Sequence, residues 1–223
     1  MSAAALVTGV MALVLAQMLN PGGNENSPSA QLLVAAEYPG RWLAMSILFF
    51  GAAAAIVLGT PSILMLFQDK RGRGLGVLGV VALAIGCVGV GGLAALMLMF
   101  RALAIKALEQ GQASATEMEL VTSALDESGL QISLMVWVYG FLLGVLLIAL
   151  GLLRSGRTPA WVPGLLLAFL AMQVVLPFLG GGTDARVASA LGLILLAGGF
   201  TGIATNATSP QSPVRITQTL AGR

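Results

Sequence analysis

Long apolar stretches alternate with short polar segments along most of this chain. A bilayer core about 30 Å thick needs about 20 apolar helical residues to cross it, and several stretches reach or approach that length. They cover residues 3–19, 42–67, 75–100, 132–153, 162–179 and 187–204. The pattern predicts an all-α fold, in which a six-span transmembrane helix bundle forms one domain over residues 1–205.

The polar segments between these stretches are of two kinds. The hairpins near residues 68–74 and 154–161 are short and basic, whereas the first and third loops are long and carry most of the acidic residues. In the third loop, Thr116 and Glu119 have capping-box spacing, which predicts a surface helix over residues 117–126. The Ser-, Thr-, Gln- and Pro-rich residues 206–223 predict a disordered cytoplasmic tail.

Basic residues predict how the bundle is oriented. Lys and Arg concentrate in the loops that stay in the cytoplasm, and the topology-setting residues here are Lys70, Arg71, Arg73, Arg154 and Arg157. We therefore expect a multi-pass protein of the bacterial plasma membrane with both termini in the cytoplasm. Residues 1–6 hold no Lys or Arg and no clear cleavage site follows, so residues 3–19 are predicted to be an uncleaved span.

Composition excludes several function classes. Hydrophobic residues make up 57% of the 223 residues and charged residues 9%, whereas soluble domains carry about 25% charged residues. The net charge of +2 provides no basic face for nucleic acid. Histidine is absent and Cys87 is the single cysteine, so we expect no disulfide, no Cys/His metal site and no cofactor.

Glycine spacing indicates how the third predicted span packs. Small residues that recur every three or four positions share one helical face, and the members of this set are Gly72, Gly76, Gly79, Ala82, Gly86 and Gly89. Such a face lets a neighbouring backbone approach closely, which stabilises helix contacts in lipid. We predict that this span is the central helix of the bundle, and that Gly140 and Gly144 have the same packing role. The alternative is that glycine is simply common in spans.

Pro61 lies inside the second predicted span. Proline removes one backbone donor and predicts a kink, and Thr60 and Ser62 are placed to satisfy the freed carbonyls. A packing bend explains this feature better than a binding site does.

The turn after the fourth span carries a recognisable motif. It runs Arg154-Ser155-Gly156-Arg157-Thr158-Pro159 and leads to Trp161, while Asn20-Pro21 follows the first span and Pro39 and Trp42 open the second. In these features residues 1–180 resemble a group of uncharacterised six-span bacterial membrane proteins. The chain departs from that pattern where Pro163 precedes Gly164. The resemblance implies the architecture and no particular activity.

Function is constrained mainly by what the spans lack. None of them contains Asp, Glu, Lys or His, the residues that usually mark catalysis or proton transfer in a membrane. We therefore expect a non-catalytic membrane protein, either a scaffold, an accessory subunit or a lipid-binding bundle. Its partners would be the lipid bilayer and either further copies of itself or another membrane protein, with no nucleic acid.

A small transporter or carrier of a neutral or apolar solute, acting as an oligomer, is the alternative function. Its pathway would have to be lined by neutral polar side chains, because the spans offer no charged ones. The candidates are Gln17, Ser46, Thr60, Ser62, Gln173 and Thr201. Each of them also fits a helix-to-helix hydrogen bond.

Overall fold

A computed structural model describes residues 1–21, 34–68, 71–109, 128–176 and 183–208. These residues form helices and the turns between them, and they contain no strand. The helices are α1 Ser2–Leu19, α2 Pro39–Met65, α3 Arg73–Glu109, α4 Ser128–Ser155, α5 Trp161–Val175 and α6 Thr183–Thr208. The all-α prediction is confirmed. Lys70, Thr116, the predicted surface helix and residues 209–223 lie outside the described residues.

Five of these helices are long and apolar enough to cross a membrane, so the chain is a multi-pass membrane protein by length and composition. The exception is α5, which has 15 residues. At 1.5 Å per residue it covers about 22 Å, which is less than the bilayer core. The stretch 162–179, the fifth of the six predicted spans, therefore stays a prediction as a membrane span.

The six helices form a closed ring. Each helix packs against the next one along the chain, α6 packs against α1, and α2 also touches α6. Successive helices run antiparallel, so the ring has two distinct ends. We call the end with the turn residues 66–68, 71–72 and 156–160 the turn end. The opposite end, at which α1 ends and α2 begins, is the loop end.

Glycines bring the paired helices together near the turn end. A Cβ atom at Gly59 of α2 would lie 2.6 Å from the Leu6 Cα of α1, and one at Gly9 would lie 2.8 Å from the Ile56 backbone nitrogen. Between α5 and α6, a Cβ at Gly202 would lie 2.7 Å from a methyl of Val162. Real side chains do not tolerate such distances, so each pair is packed at a separation that glycine alone allows.

The predicted glycine face of the third span lies against α4. A Cβ at Gly79 would lie 2.8 Å from the Ile148 nitrogen, one at Gly89 would lie 2.5 Å from the Trp137 Cβ, and one at Gly86 would overlap the Phe141 backbone. On the other side, a Cβ at Gly144 would lie 2.5 Å from the Leu83 nitrogen, and one at Gly140 would lie 3.0 Å from the Gly86 nitrogen. Small residues on both helices therefore create this contact. The predicted central position of the third span was wrong, because among the described helices α3 contacts α2 and α4 alone.

Two members of the predicted face behave differently from the rest. Gly72 is not part of the helix, because α3 begins at Arg73 and Gly72 has a φ of +78°. Placing it on the helical face was therefore wrong. Gly76 is helical, but a Cβ there would meet the Phe67 ring rather than α4. The buried Phe67 ring also lies 3.0 Å from the Cβ position of Gly151, so it fills the space between α3 and α4 at the turn end.

At the loop end α3 extends beyond the other helices. Its 37 residues correspond to about 55 Å, and it continues past Arg101 and Lys106, beyond the predicted end of the span at residue 100. The extension packs on the start of α2 through a separate buried cluster, whose members are Ala16, Ala35, Trp42, Met45, Phe100 and Ala104. The Trp42 indole donates to the Met97 carbonyl at 2.8 Å, and Arg101 Nε donates to the Pro39 carbonyl at 3.0 Å.

Helix α2 continues through Pro61 to Met65. Proline removes the donor that would bond the carbonyl of Val57, and the Thr60 hydroxyl donates to that carbonyl at 2.7 Å. The Ser62 hydroxyl donates to the Gly59 carbonyl at 2.6 Å. The predicted role is confirmed for Thr60, whereas Ser62 bonds a carbonyl that Pro61 does not free. The kink itself stays a prediction.

Helix α6 ends later than predicted. It reaches Thr208 rather than residue 204, so the first residues of the predicted tail are helical. Side chains in this last turn bond back to the helix: Asn206 Nδ2 donates to the Gly202 carbonyl at 2.7 Å, and the Thr208 hydroxyl donates to the Ala204 carbonyl at 3.1 Å. Polar residues that predict a loop by composition can therefore extend a helix when they satisfy its carbonyls.

Candidate functional site: a cavity at the loop end

A cavity of about 350 Å³ lies inside the helix ring, in the half towards the loop end. Every helix of the ring contributes to its lining. The lining residues are Leu13, Gln17, Asn20, Phe49, Val90, Leu93, Met97, Trp137, Val138, Phe141, Leu142, Phe169, Gln173, Ser189 and Leu193. The volume falls at the small end of the range of about 300–1,000 Å³ typical of small-molecule sites.

Aromatic and aliphatic side chains form most of the cavity wall. Phe141 of α4 and Phe169 of α5 pack edge to face, with ring centroids 6.5 Å apart and planes at 80°. Trp137 stands one helical turn nearer the loop end, and Phe49 contributes from α2. Large flat rings provide dispersion contacts for an apolar molecule at little entropic cost.

Polar side chains gather in the part of the cavity nearest the loop end. Gln17 Nε2 of α1 donates to the Ser189 hydroxyl of α6 at 3.3 Å. Gln173 of α5 also lines the cavity, and its Nε2 lies 3.3 Å from the Cβ position of Gly192 on α6. Two amides and a hydroxyl thus stand on three neighbouring helices, where they can donate to and accept from a polar group of a bound molecule.

The floor of the cavity is closed by the packed half of the bundle. Large side chains there are completely or almost completely buried, among them Leu83, Ile148, Leu166, Leu196 and Phe200. On α6, the small residue Ser189 lines the cavity one turn before Leu193.

The cavity is electrically neutral. Among the residues that the structure describes, those lining it include no Asp, Glu, Lys or Arg. Burying an unpaired charge in apolar surroundings costs several kcal/mol or more, so a charged ligand would lack the partner that it needs. The lining suits a neutral molecule that is mostly apolar and has one group able to form hydrogen bonds.

The structure brings together some of the predicted polar residues and separates the others. Gln17 and Gln173 line the cavity. Ser46 donates to the Trp42 carbonyl of its own helix at 2.9 Å, Thr60 and Ser62 bond within α2, and Thr201 is exposed on the outside of α6. Sequence reasoning missed Ser189 and Asn20, because a single Ser or a residue just after a helix gives no signal of its own.

The predicted basic residues that the structure describes lie far from this cavity, at the turn end, and Lys70 is outside the described residues. Arg71, Arg73 and Arg154 are exposed and Arg157 is half-buried. Both basic turns are therefore at the same end of the ring, as a positive-inside arrangement requires.

No family model, curated protein or solved structure matches this chain. The part of the chain that the structure describes contains no group of three or more His, Cys, Asp or Glu residues placed to hold a metal ion. What the cavity can do therefore follows from its shape and lining. It can hold a molecule by contact with rings and aliphatic groups, and orient it by hydrogen bonds near the loop end.

Proposed function

We propose that this protein is a non-catalytic integral membrane protein that binds a neutral, mostly apolar small molecule in the loop-end cavity. The observation that supports this most directly is that all six helices line one cavity with apolar walls and a few converging polar groups. That combination is the usual form of a small-molecule site.

The size of the cavity limits the ligand. One water molecule in the liquid occupies about 30 Å³. At a similar volume per non-hydrogen atom, a cavity of about 350 Å³ accommodates a ligand with roughly a dozen such atoms. A medium-chain alcohol, or a cyclic alcohol or ketone, has this size and one neutral polar group. Its hydroxyl or carbonyl would bond to Gln17, Gln173 or Ser189, and its apolar body would lie against Trp137 and Phe141.

We propose that the protein holds its ligand rather than carrying it across the membrane. Carriage would require a second opening at the turn end, where glycine-mediated contacts bring the helix backbones together and leave the side chains fully buried. Opening that half would separate several backbone contacts at once. A binding, storage or accessory role needs no such movement.

The architecture that goes with this proposal is a six-span bundle in the plasma membrane, with both termini and both basic turns in the cytoplasm and the cavity towards the outside. The resemblance to the group of six-span bacterial proteins agrees with it. Reporter fusions test the topology: those at Gly22, Ala113 and Gly182 should report an external position and one at Gln211 an internal position. An external tail would contradict it.

Binding can be tested with a pair of variants on one helix. Leu193 of α6 lines the cavity, whereas Leu191 is 50% exposed on the outer surface of the same helix. Leu193→Trp should fill the cavity and abolish saturable binding of a tritiated medium-chain alcohol, measured by scintillation proximity in detergent. Leu191→Trp adds the same bulk outside the ring and should bind as the parent does.

Two results would contradict the proposal. One is the absence of saturable binding in the parent protein, and the other is equal binding by the two tryptophan variants. Mass spectrometry of what co-purifies in mild detergent gives an independent check. A neutral small molecule lost in Leu193→Trp would support the binding role, whereas a stoichiometric polypeptide would favour an accessory subunit.

A further inference from the structure

The two basic turns at the turn end are in direct contact. A Cβ atom at Gly72 would lie 2.6 Å from the Gly151 carbonyl oxygen and 3.4 Å from the Ser155 nitrogen. Gly72 also has a φ of +78°, a conformation that side chains other than glycine rarely adopt. The turn between α2 and α3 therefore rests on the last turn of α4, where the second basic turn begins.

This contact brings together two backbone segments that carry arginines. Arg71 and Arg73 flank Gly72 in the chain, and Arg154 immediately precedes Ser155. All three arginines are exposed, so their guanidinium groups are available at the membrane surface. Guanidinium presents a rigid set of donors that matches the oxygens of a phosphate group.

The surrounding charge is strongly positive. Residues 68–74 contain three basic residues and one acidic residue, Asp69, while residues 154–161 contain two basic residues and no acidic one. The other acidic residues of the chain fall in segments that begin or end at the loop end. An anion at the turn end would therefore meet arginines with little competition from carboxylates.

We propose that the two turns together form one binding site for the phosphate of an anionic phospholipid headgroup. Each Lys or Arg near a membrane surface contributes about 1 kcal/mol to attraction for anionic lipid. Arginines fixed around the Gly72 contact act on the same headgroup, so they bind it more tightly than the same charges would if they were spread over the surface. This site is independent of the loop-end cavity.

Energy transfer from Trp161 can measure this binding. Trp161 is 53% exposed at the start of α5, next to the second basic turn, whereas Trp42 and Trp137 lie towards the loop end. With the protein in phosphatidylcholine nanodiscs, transfer to dansyl-labelled phosphatidylglycerol should saturate at a lower lipid fraction than transfer to dansyl-labelled phosphatidylcholine. Inorganic phosphate should not compete, since the site is at the lipid surface.

Removing the arginine charges and separating the two turns should both weaken the binding of anionic lipid. One arginine is worth about a five-fold change in affinity at 1 kcal/mol. In a shared site the second removal adds less than the first, so Arg71→Gln with Arg154→Gln should weaken binding by less than the product of the two single effects. Arg41→Gln with Lys106→Gln removes two basic residues at the loop end and should change nothing. Gly72→Ala keeps every charge but forces the turns apart, and it should also abolish the preference for anionic lipid.

Gly156→Ala is the matched control for Gly72→Ala. Gly156 also has a positive φ, of +63°, but a Cβ there meets nothing within 4 Å. It therefore imposes similar backbone strain without separating the turns, and it should retain the preference. If Gly72→Ala does not fold, the coupling between Arg71→Gln and Arg154→Gln replaces it, because a shared site requires non-additive effects.

Several results would overturn the proposal. Equal affinity of the parent for the two lipids would remove the site, and competition by inorganic phosphate would identify a soluble anion as the occupant. Undiminished preference in Gly72→Ala, or strictly additive arginine effects, would mean that the two turns act as separate surface charges. If Arg41→Gln with Lys106→Gln weakened lipid binding as much as the turn-end pair does, the preference would come from the total charge of the protein and not from a site.

Discussion

The two halves of the helix ring are built differently although the same six helices form both. Towards the turn end, glycines at Gly59, Gly79 and Gly202 let paired helices approach until a single Cβ would collide. Towards the loop end, the ring surrounds a cavity of about 350 Å³, although α3 and α4 stay in contact there through Gly89 and Trp137. Buried side chains such as Leu83 and Phe200 fill the middle of the ring towards the turn end, whereas its middle is open towards the loop end.

This difference has a physical basis specific to membranes. Lipid chains are as apolar as leucine, so helices in a bilayer gain little from burying apolar side chains and depend on close packing instead. Glycine contacts such as those at Gly59 and Gly202 provide this close packing in the turn-end half. The loop-end half is less closely packed around the middle of the ring, and this leaves space for a ligand.

The largest effect is expected at the closest contact between α3 and α4. Gly86→Leu would place a side chain on the Phe141 backbone of α4, and we expect destabilisation of about 3 kcal/mol or failure to assemble. Gly91→Leu in the same helix is the control, because a Cβ there meets only the Phe50 ring at 3.9 Å. Thermal unfolding in detergent compares the two.

Gly91→Leu should be neutral or slightly stabilising, since leucine is a better helix former than glycine by up to about 1 kcal/mol. Similar melting of parent, Gly86→Leu and Gly91→Leu would mean that α3 and α4 are not packed by glycine. The contrast between the halves would then disappear.

Truncation of leucine should distinguish the halves by a smaller margin. Leu83 is fully buried against Gly144, so Leu83→Ala should cost about 2–5 kcal/mol. Leu93 lies on the same helix but lines the cavity, and Leu93→Ala should cost only about 1 kcal/mol because its methyl groups already border empty space. Equal costs in urea or thermal unfolding would show that the loop-end half is as tightly packed as the other.

The sequence predicted the closed half better than the open one. The glycine face of α3 is a local pattern, because residues three or four apart lie on the same side of a helix, and Gly79, Gly86 and Gly89 do face α4. Gly72 could not be distinguished from them by spacing. Its positive φ depends on where α3 begins, and that start depends on the contact with Gly151.

The cavity could not be predicted because its residues are distant in the sequence. Gln17 and Ser189 are 172 positions apart, and only the closure of the ring by α1 and α6 brings them together. Neither residue has a special local pattern, and a glutamine in an apolar helix equally suits a packing bond. The sequence identifies the polar residues of the spans. Only the tertiary arrangement shows that Gln17 and Gln173 line the cavity and that Ser46 and Thr201 do not.

The smallest expected effect concerns the hydrogen bond between those two residues at the cavity. Side-chain hydrogen bonds between membrane helices contribute about 0.6 kcal/mol on average, so Gln17→Leu and Ser189→Ala should each destabilise the bundle by about that amount. A double-mutant cycle in thermal unfolding should give a coupling of similar size, because each change removes the same bond.

The bond between Gln17 and Ser189 is also expected to compete with the ligand, since both use the Gln17 amide. Adding a saturating medium-chain alcohol should therefore reduce the coupling towards zero in the parent background, while the Leu193→Trp background should keep it. A coupling that is unaffected by the alcohol would mean that Gln17 stays bonded to Ser189 when the ligand is present, and the polar contact to the ligand would then have to come from Gln173.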